Sequence, residues 1–125
     1  MATPLAAPVV VVEHGEHHAV TSLTVDPADP IFAGHYPDFP IYPGVCLVEF
    51  VNASAHALAL MIGREVELTG VESVRFHHPV FPGDTVTARV DLVERAGGWR
   101  CSAALSSGDT GIATVRLAYR TGTEE

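Results

Sequence analysis

The chain has 125 residues, 47% hydrophobic and 18% charged, the size and make-up of one globular domain, 1–125, with its own core. Its formal net charge is −8, with seven arginines and no lysine. Phosphate affinity depends on neutralising cations, so this balance argues against a nucleic-acid surface. Residues 1–63 hold six acids and no Lys or Arg, so an anionic partner must meet arginines of the second half.

Cys46 and Cys101 show neither CxxC spacing nor a disulfide ladder, which fits small core residues in a reducing compartment. The opening MATPLAAPVVVV lacks the positive region of a signal peptide and the arginines of a transit peptide, and a cytoplasmic location is expected. Residues 43–62 form the longest apolar run. Glu49, Asn52, Ser54 and His56 interrupt it, so it reads as a buried helix and not as a membrane span.

In chain order, VVVV at 9–12 and HAVTSLTV at 18–25 read as strands joined by a turn over 13–17. A helix is expected from Pro43, whose fixed φ and missing N–H suit the first helical position, to about Gly63. That span is about 20 residues, or roughly 30 Å. Val74, Phe76, His78 and Val80 mark a further strand, stopped by the Phe81-Pro82-Gly83-Asp84 turn. Alternation is clear in Val86, Ala88, Val90 and Leu92, and again in Trp99, Cys101, Ala103 and Leu105 after a Gly97-Gly98 turn. It recurs in Ala113, Val115, Leu117 and Tyr119. Apolar residues cover nearly the whole circumference of the helix, which is expected if a sheet wraps it. The expected fold is α+β, a curled, mostly antiparallel sheet of five or six strands around one long central helix.

Glu49 stands out inside this helix. An ionised carboxylate removed from water costs several kcal/mol unless paired, and no Lys or Arg lies nearby in sequence. A carboxyl in such a place suits a general acid, and His35, in the proline-rich stretch before the helix, suits a general base. At the helix start, the Gly44 and Val45 N–H groups lack intrahelical acceptors, and the dipole there favours charge developing on a carbonyl oxygen. A base, an acid and an oxyanion site match removal of a proton beside a thioester carbonyl with loss of a β-hydroxyl as water. The bland alternatives stay open: Glu49, Asn52 and His56 at i, i+3 and i+7 also fit a polar stripe facing water or a subunit, and Gly44 also fits a packing need.

Other polar clusters carry less. Glu13, His14, Glu16, His17 and His18 superficially resemble a metal cluster, but they sit in an exposed turn, and no metal is expected. His77 and His78 fall on opposite faces of the expected strand and cannot act as neighbouring ligands. A Cys46–His35 nucleophilic pair has no orienting third residue. Arg75, Arg100, Arg116 and Arg120 fit a solvated strand face, or a surface for carrier-protein acids or a phosphopantetheine phosphate.

Residues 32–49, FAGHYPDFPIYPGVCLVE, resemble the signature of the hot-dog-fold β-hydroxyacyl-acyl-carrier-protein dehydratases, roughly F-x-G-H-F-P-x-x-P-x-M-P-G-V-x-x-x-E. VESVRFHHPVFPGD at 71–84 is similar to the family's following strand and turn, and the resemblance covers about residues 22–119. It implies a dimer, or an assembly of dimers, with two long helices side by side in a continuous sheet. His35 of one chain would then face Glu49 of the other. In that arrangement His35 takes the C2 proton, Glu49 protonates or positions the C3 hydroxyl, and the Gly44 N–H polarises the thioester. The substrate rides on the phosphopantetheine of an acyl carrier protein, and no other cofactor is implied. Glutamate at 49 resembles the branch that dehydrates without isomerising the double bond.

The chain departs from the pattern in three places. Tyr42 replaces methionine, Tyr36 replaces phenylalanine, and the family's E-A-M-A-Q is Glu49-Phe-Val-Asn-Ala53 here, without its glutamine. Asn52 is a candidate replacement hydrogen-bond donor to Glu49, and Tyr42 and Phe50 are candidates for narrowing or redirecting the acyl tunnel. Two other functions compete: a hot-dog thioesterase, and a non-catalytic subunit that binds acyl chains or completes a heterodimer.

Overall fold

A computed structural model of the chain describes residues 9–28 and 41–122. Its elements are β1 (Val10–His14), β2 (His18–Thr24), α1 (Gly44–Met61), β3 (Val66–Phe76), β4 (Thr85–Arg95), β5 (Gly98–Ser107) and β6 (Thr110–Thr121). They form one sheet in the order β1-β2-β4-β5-β6-β3, antiparallel at every pairing. α1 packs on β4 and also reaches β2, β3 and β6, as a core helix does when a sheet curls around it.

Period-2 alternation builds the inner face of that sheet. Val90 pairs with Ala103 and Ala103 with Val115, while Leu92 pairs with Cys101 and Cys101 with Leu117, so apolar side chains line up across three strands. All of them are buried. At about 1.5–3 kcal/mol for each large aliphatic side chain, this layer is the main source of stability. Burial, with a smaller contribution from Asp91, pushes the Cys101 thiol up to about 12, which makes it an inert core group.

The helix ends follow local chemistry. Pro43 is the N-cap, one residue earlier than its expected role as first helical residue, at φ −62° and ψ 142° and with no side-chain cap. At the other end the Arg64 N–H reaches the Ala59 carbonyl and the Gly63 N–H reaches that of Leu60. Gly63 adopts φ +71°, the left-handed residue that closes this type of helix end. The Ser54 hydroxyl donates to the Phe50 carbonyl and lies 2.8 Å from Thr21 Oγ1, joining α1 to β2 inside the core.

Two expectations are corrected. The strand expected over 74–80 runs instead over Val66–Phe76. Register shifts between Leu68 and Gly70 and between Val71 and Ser73 break its alternation, which hid it in the sequence. His77 and His78 therefore lie beyond the strand, not on its two faces. Secondly, the helix is covered along one stripe only: Cys46, Leu47, Phe50, Val51, Ser54, Ala55, Leu58 and Ala59 are buried, while Val45 and Leu60 are 65% and 71% exposed. By length and hydropathy this helix is apolar enough to cross a membrane, but its buried stripe is that of a core helix.

β3 is the edge strand beyond β6, and Leu68, Val71 and Phe76 on it are exposed. A long edge with exposed apolar side chains is a template for pairing with another chain.

Candidate active site

His35 lies outside the described residues, so the site is built from the helix outward. Gly44 opens α1, and its first-turn N–H groups, with that of Val45, have no acceptor within the helix. Tyr42 is buried beside this helix start, with its N–H bonded to the Val80 carbonyl at 2.7 Å. Together with Leu47, Phe76, His77 and Val80, Tyr42 and Gly44 line a cavity of about 390 Å³. A side chain at Gly44 would place its Cβ 2.6 Å from the ring of Phe76, so the glycine meets a packing need. That does not compete with an N–H role, because the amide and the missing Cβ serve different contacts. His78, also at this cavity, has Nδ1 2.7 Å from the Pro79 carbonyl and sets its ring edge-on to Phe81.

Glu49 faces elsewhere. Five residues on from Gly44, it stands about 7.5 Å along the axis and is turned by about 140°, away from this cavity and onto the uncovered flank. There it is half-buried. Asn52 Nδ2 lies 3.4 Å from Glu49 Oε1, and the Tyr119 hydroxyl donates to Asn52 Oδ1 at 2.7 Å. His56 completes the group, its ring edge-on to Tyr119 with centroids 5.8 Å apart. The structure thus joins Glu49 and Asn52, as the spacing suggested, and adds Tyr119, which sequence reasoning missed. Its signal was present: Tyr119 is the one hydroxyl-bearing residue among the buried residues of β6, and a buried tyrosine seeks a partner.

Phe50, the other candidate for shaping the acyl tunnel, is 0% exposed, in the core among the buried residues of α1. Val45 is exposed at the helix start. Among the described residues, no group of three or more His, Cys, Asp or Glu side chains is arranged to hold a metal ion, and at the 13–18 turn His18 Nε2 only approaches Glu13 Oε1 to 3.7 Å.

A larger trough, about 590 Å³, lies on the outer face of the sheet, where Arg89 on β4, Arg116 on β6 and Arg75 on β3 converge beside Asp91. On the same face Arg100 is paired with Glu72 and Arg120 with Glu67. Arg75, Arg89 and Arg116 have no ion pair among the described residues.

An antiparallel six-stranded sheet curled round one central helix is the hot-dog fold. Within it, the chain belongs to the ApeI-like dehydratase family, whose model matches residues 11–114. It is 34% identical over 109 residues to the 3-hydroxyacyl-[acyl-carrier-protein] dehydratase FabZ of Thermotoga petrophila, covering 86% of this chain and 80% of that one. FabZ of Pseudoalteromonas translucida is 38% identical over 96 residues, 69% of this chain and 61% of its own. Among solved structures, the dehydratase heterocomplex ApeI:P of Xenorhabdus doucetiae superposes with a TM-score of 0.74 at 22% identity, covering 93% of this chain and 99% of that one. A hypothetical thioesterase from Streptococcus pneumoniae, solved with coenzyme A, superposes at 0.78 with 9% identity over 94% and 88% of the chains, a likeness of fold alone.

Proposed function

We propose that the protein removes water from 3-hydroxyacyl thioesters carried on an acyl carrier protein, giving trans-2-enoyl thioesters in fatty-acid or polyketide-type biosynthesis. The observation that carries this reading is Glu49, half-buried on the open flank of an apolar helix with Asn52 beside it, in a chain whose family is a dehydratase family. His35 takes a proton from C2, the C2–H electron pair forms the C2=C3 bond, and the C3–O bond breaks as Glu49 gives its proton to the departing hydroxyl. The thioester oxygen, negative in the transition state, is met by the Gly44 N–H and the positive helix end, with Val45 beside it. Proton return from His35 to Glu49 resets the pair, so the elimination needs no redox group or metal. Tyr42 at the helix-start cavity shapes the space beside the thioester.

Gly44 and Glu49 point to different sides of one helix, so a single chain does not supply both to one substrate. A second chain placed along β3 would cover the open flank of α1 and bring its own helix start and His35 to Glu49. We take the working unit to be a homodimer, a higher assembly of dimers, or a heterodimer with a related chain. Val71→Lys, at an exposed apolar position of β3, is expected to shift the protein to monomer in sedimentation analysis and to remove activity with it. A fully active monomer would refute the two-chain site.

The unpaired arginines of the outer trough suit the acids of a carrier protein. Arg75→Glu with Arg116→Glu is expected to raise KM for the carrier-bound substrate, more at low salt than at high, with kcat retained. An unchanged KM leaves these arginines as solvated surface.

The deciding experiment incubates the purified protein with 3-hydroxyacyl carrier-protein thioesters of several chain lengths and follows the loss of one water by mass spectrometry. Release of free carrier thiol in place of dehydration would make the protein a thioesterase. Inertness alone, relieved by adding a related chain, would make it a heterodimer subunit.

A further inference from the structure

Tyr119 has no acid or base part in the elimination, yet it is the anchor of the acid site. It comes from the inward face of β6 and is 3% exposed, while its hydroxyl reaches the flank of α1 and donates to Asn52 Oδ1 at 2.7 Å. Burial, the largest cause, pushes its phenol well above the usual range, so it remains a donor at any physiological pH. His56, edge-on at 5.8 Å and 88°, holds the ring from the side.

An asparagine amide offers one accepting end and one donating end. Because Tyr119 occupies Oδ1, Nδ2 is the end left for Glu49, and it stands 3.4 Å from Oε1. At that length the bond to Glu49 contributes little energy by itself. Its worth is orientational. Without the phenol the amide is free to rotate and present Oδ1, an acceptor, to Glu49 Oε1, which also accepts when the acid proton sits on Oε2 for the departing hydroxyl, and the two oxygens repel. The donor chain from Tyr119 through Asn52 to Glu49 has one direction only.

We propose that Tyr119 is a positioning residue for the catalytic acid: by fixing which end of the Asn52 amide faces Glu49, it holds that carboxyl where the departing hydroxyl must be met. This rests on the reading of Glu49 as the acid. It also accounts for how the chain functions with Ala53 where the family pattern has glutamine: support comes one position earlier on the helix and from across the sheet.

Tyr119→Phe keeps the ring and its contact with His56 and deletes only the hydroxyl. The expected result is a fall in kcat of about tenfold to a hundredfold, the scale on which misplacement by about 1 Å acts, with KM unchanged. Asn52→Ala, at a half-buried helix position that alanine suits, is expected to give the same loss, and it carries the test should the tyrosine variant fold poorly. Combining the two should cost no more than either alone, because both break one chain of bonds. Losses that multiply, or a fall in thermal midpoint with kcat retained, would make Tyr119 a packing residue only and overturn the proposal while leaving Glu49 as the acid. Wild-type protein inert toward every carrier thioester, with or without a related chain, would overturn both.

Discussion

Glu49→Gln and His35→Ala are each expected to slow dehydration of 3-hydroxyacyl carrier-protein thioesters by about 10²–10⁴-fold, the range a positioned general acid or base contributes. Glutamine keeps the shape of Glu49 and its contact to Asn52 Nδ2 through an amide oxygen, but it has no carboxyl proton to give. The loss should therefore fall on kcat, with thioester binding and thermal midpoint near those of the wild type. Mixing the two variants tests the geometry as well as the chemistry. If each site takes His35 from one chain and Glu49 from the other, mixed dimers contain one intact site. A freely exchanged equal mixture of a two-fold dimer then recovers about a quarter of wild-type activity. Recovery near zero would place both groups in the same chain, and wild-type rates in either single variant would remove that residue from the mechanism.

Phe50→Ala is expected to destabilise the fold by about 3–5 kcal/mol, the cost of emptying a core aromatic site. Against a total stability of roughly 5–15 kcal/mol, that leaves the variant partly unfolded or easily melted. The reason is local: Phe50 is fully buried on the sheet-facing side of α1, among the residues that bind the helix to the sheet. Denaturant titration checks the magnitude. A stable variant with altered preference for acyl chain length would place Phe50 at the substrate tunnel.

Much of the fold was legible because burial on one face leaves a period in the sequence. Val86 to Leu92, Trp99 to Leu105 and Ala113 to Tyr119 each alternate, and each is a strand with those residues inward. The helix was legible from its punctuation, Pro43 before it and Gly63 after it. β3 was not, because two register shifts erase its alternation and an edge strand exposed along most of its length has little hydrophobic pattern to show. The same limit applies to Phe50, whose burial in the core no spacing showed. Composition shows that a helix is apolar all round, but only packing shows which side meets the sheet and which side waits for another surface.

The candidate site divides along the same line. From its sequence alone the chain specified a glutamate within an apolar helix, a glycine at the start of that helix and a histidine in the stretch before it, because chemistry of this kind needs particular residue types in a short run of chain. Asn52 belonged to that run, three residues from Glu49, and local helical spacing was enough to suggest the contact. Tyr119, 67 residues from Asn52 along the chain, was beyond such reasoning. Its hydroxyl meets the amide only because the β6 register and the seat of α1 on the sheet bring them together, and a contact that depends on the packing of two elements is decided by tertiary structure.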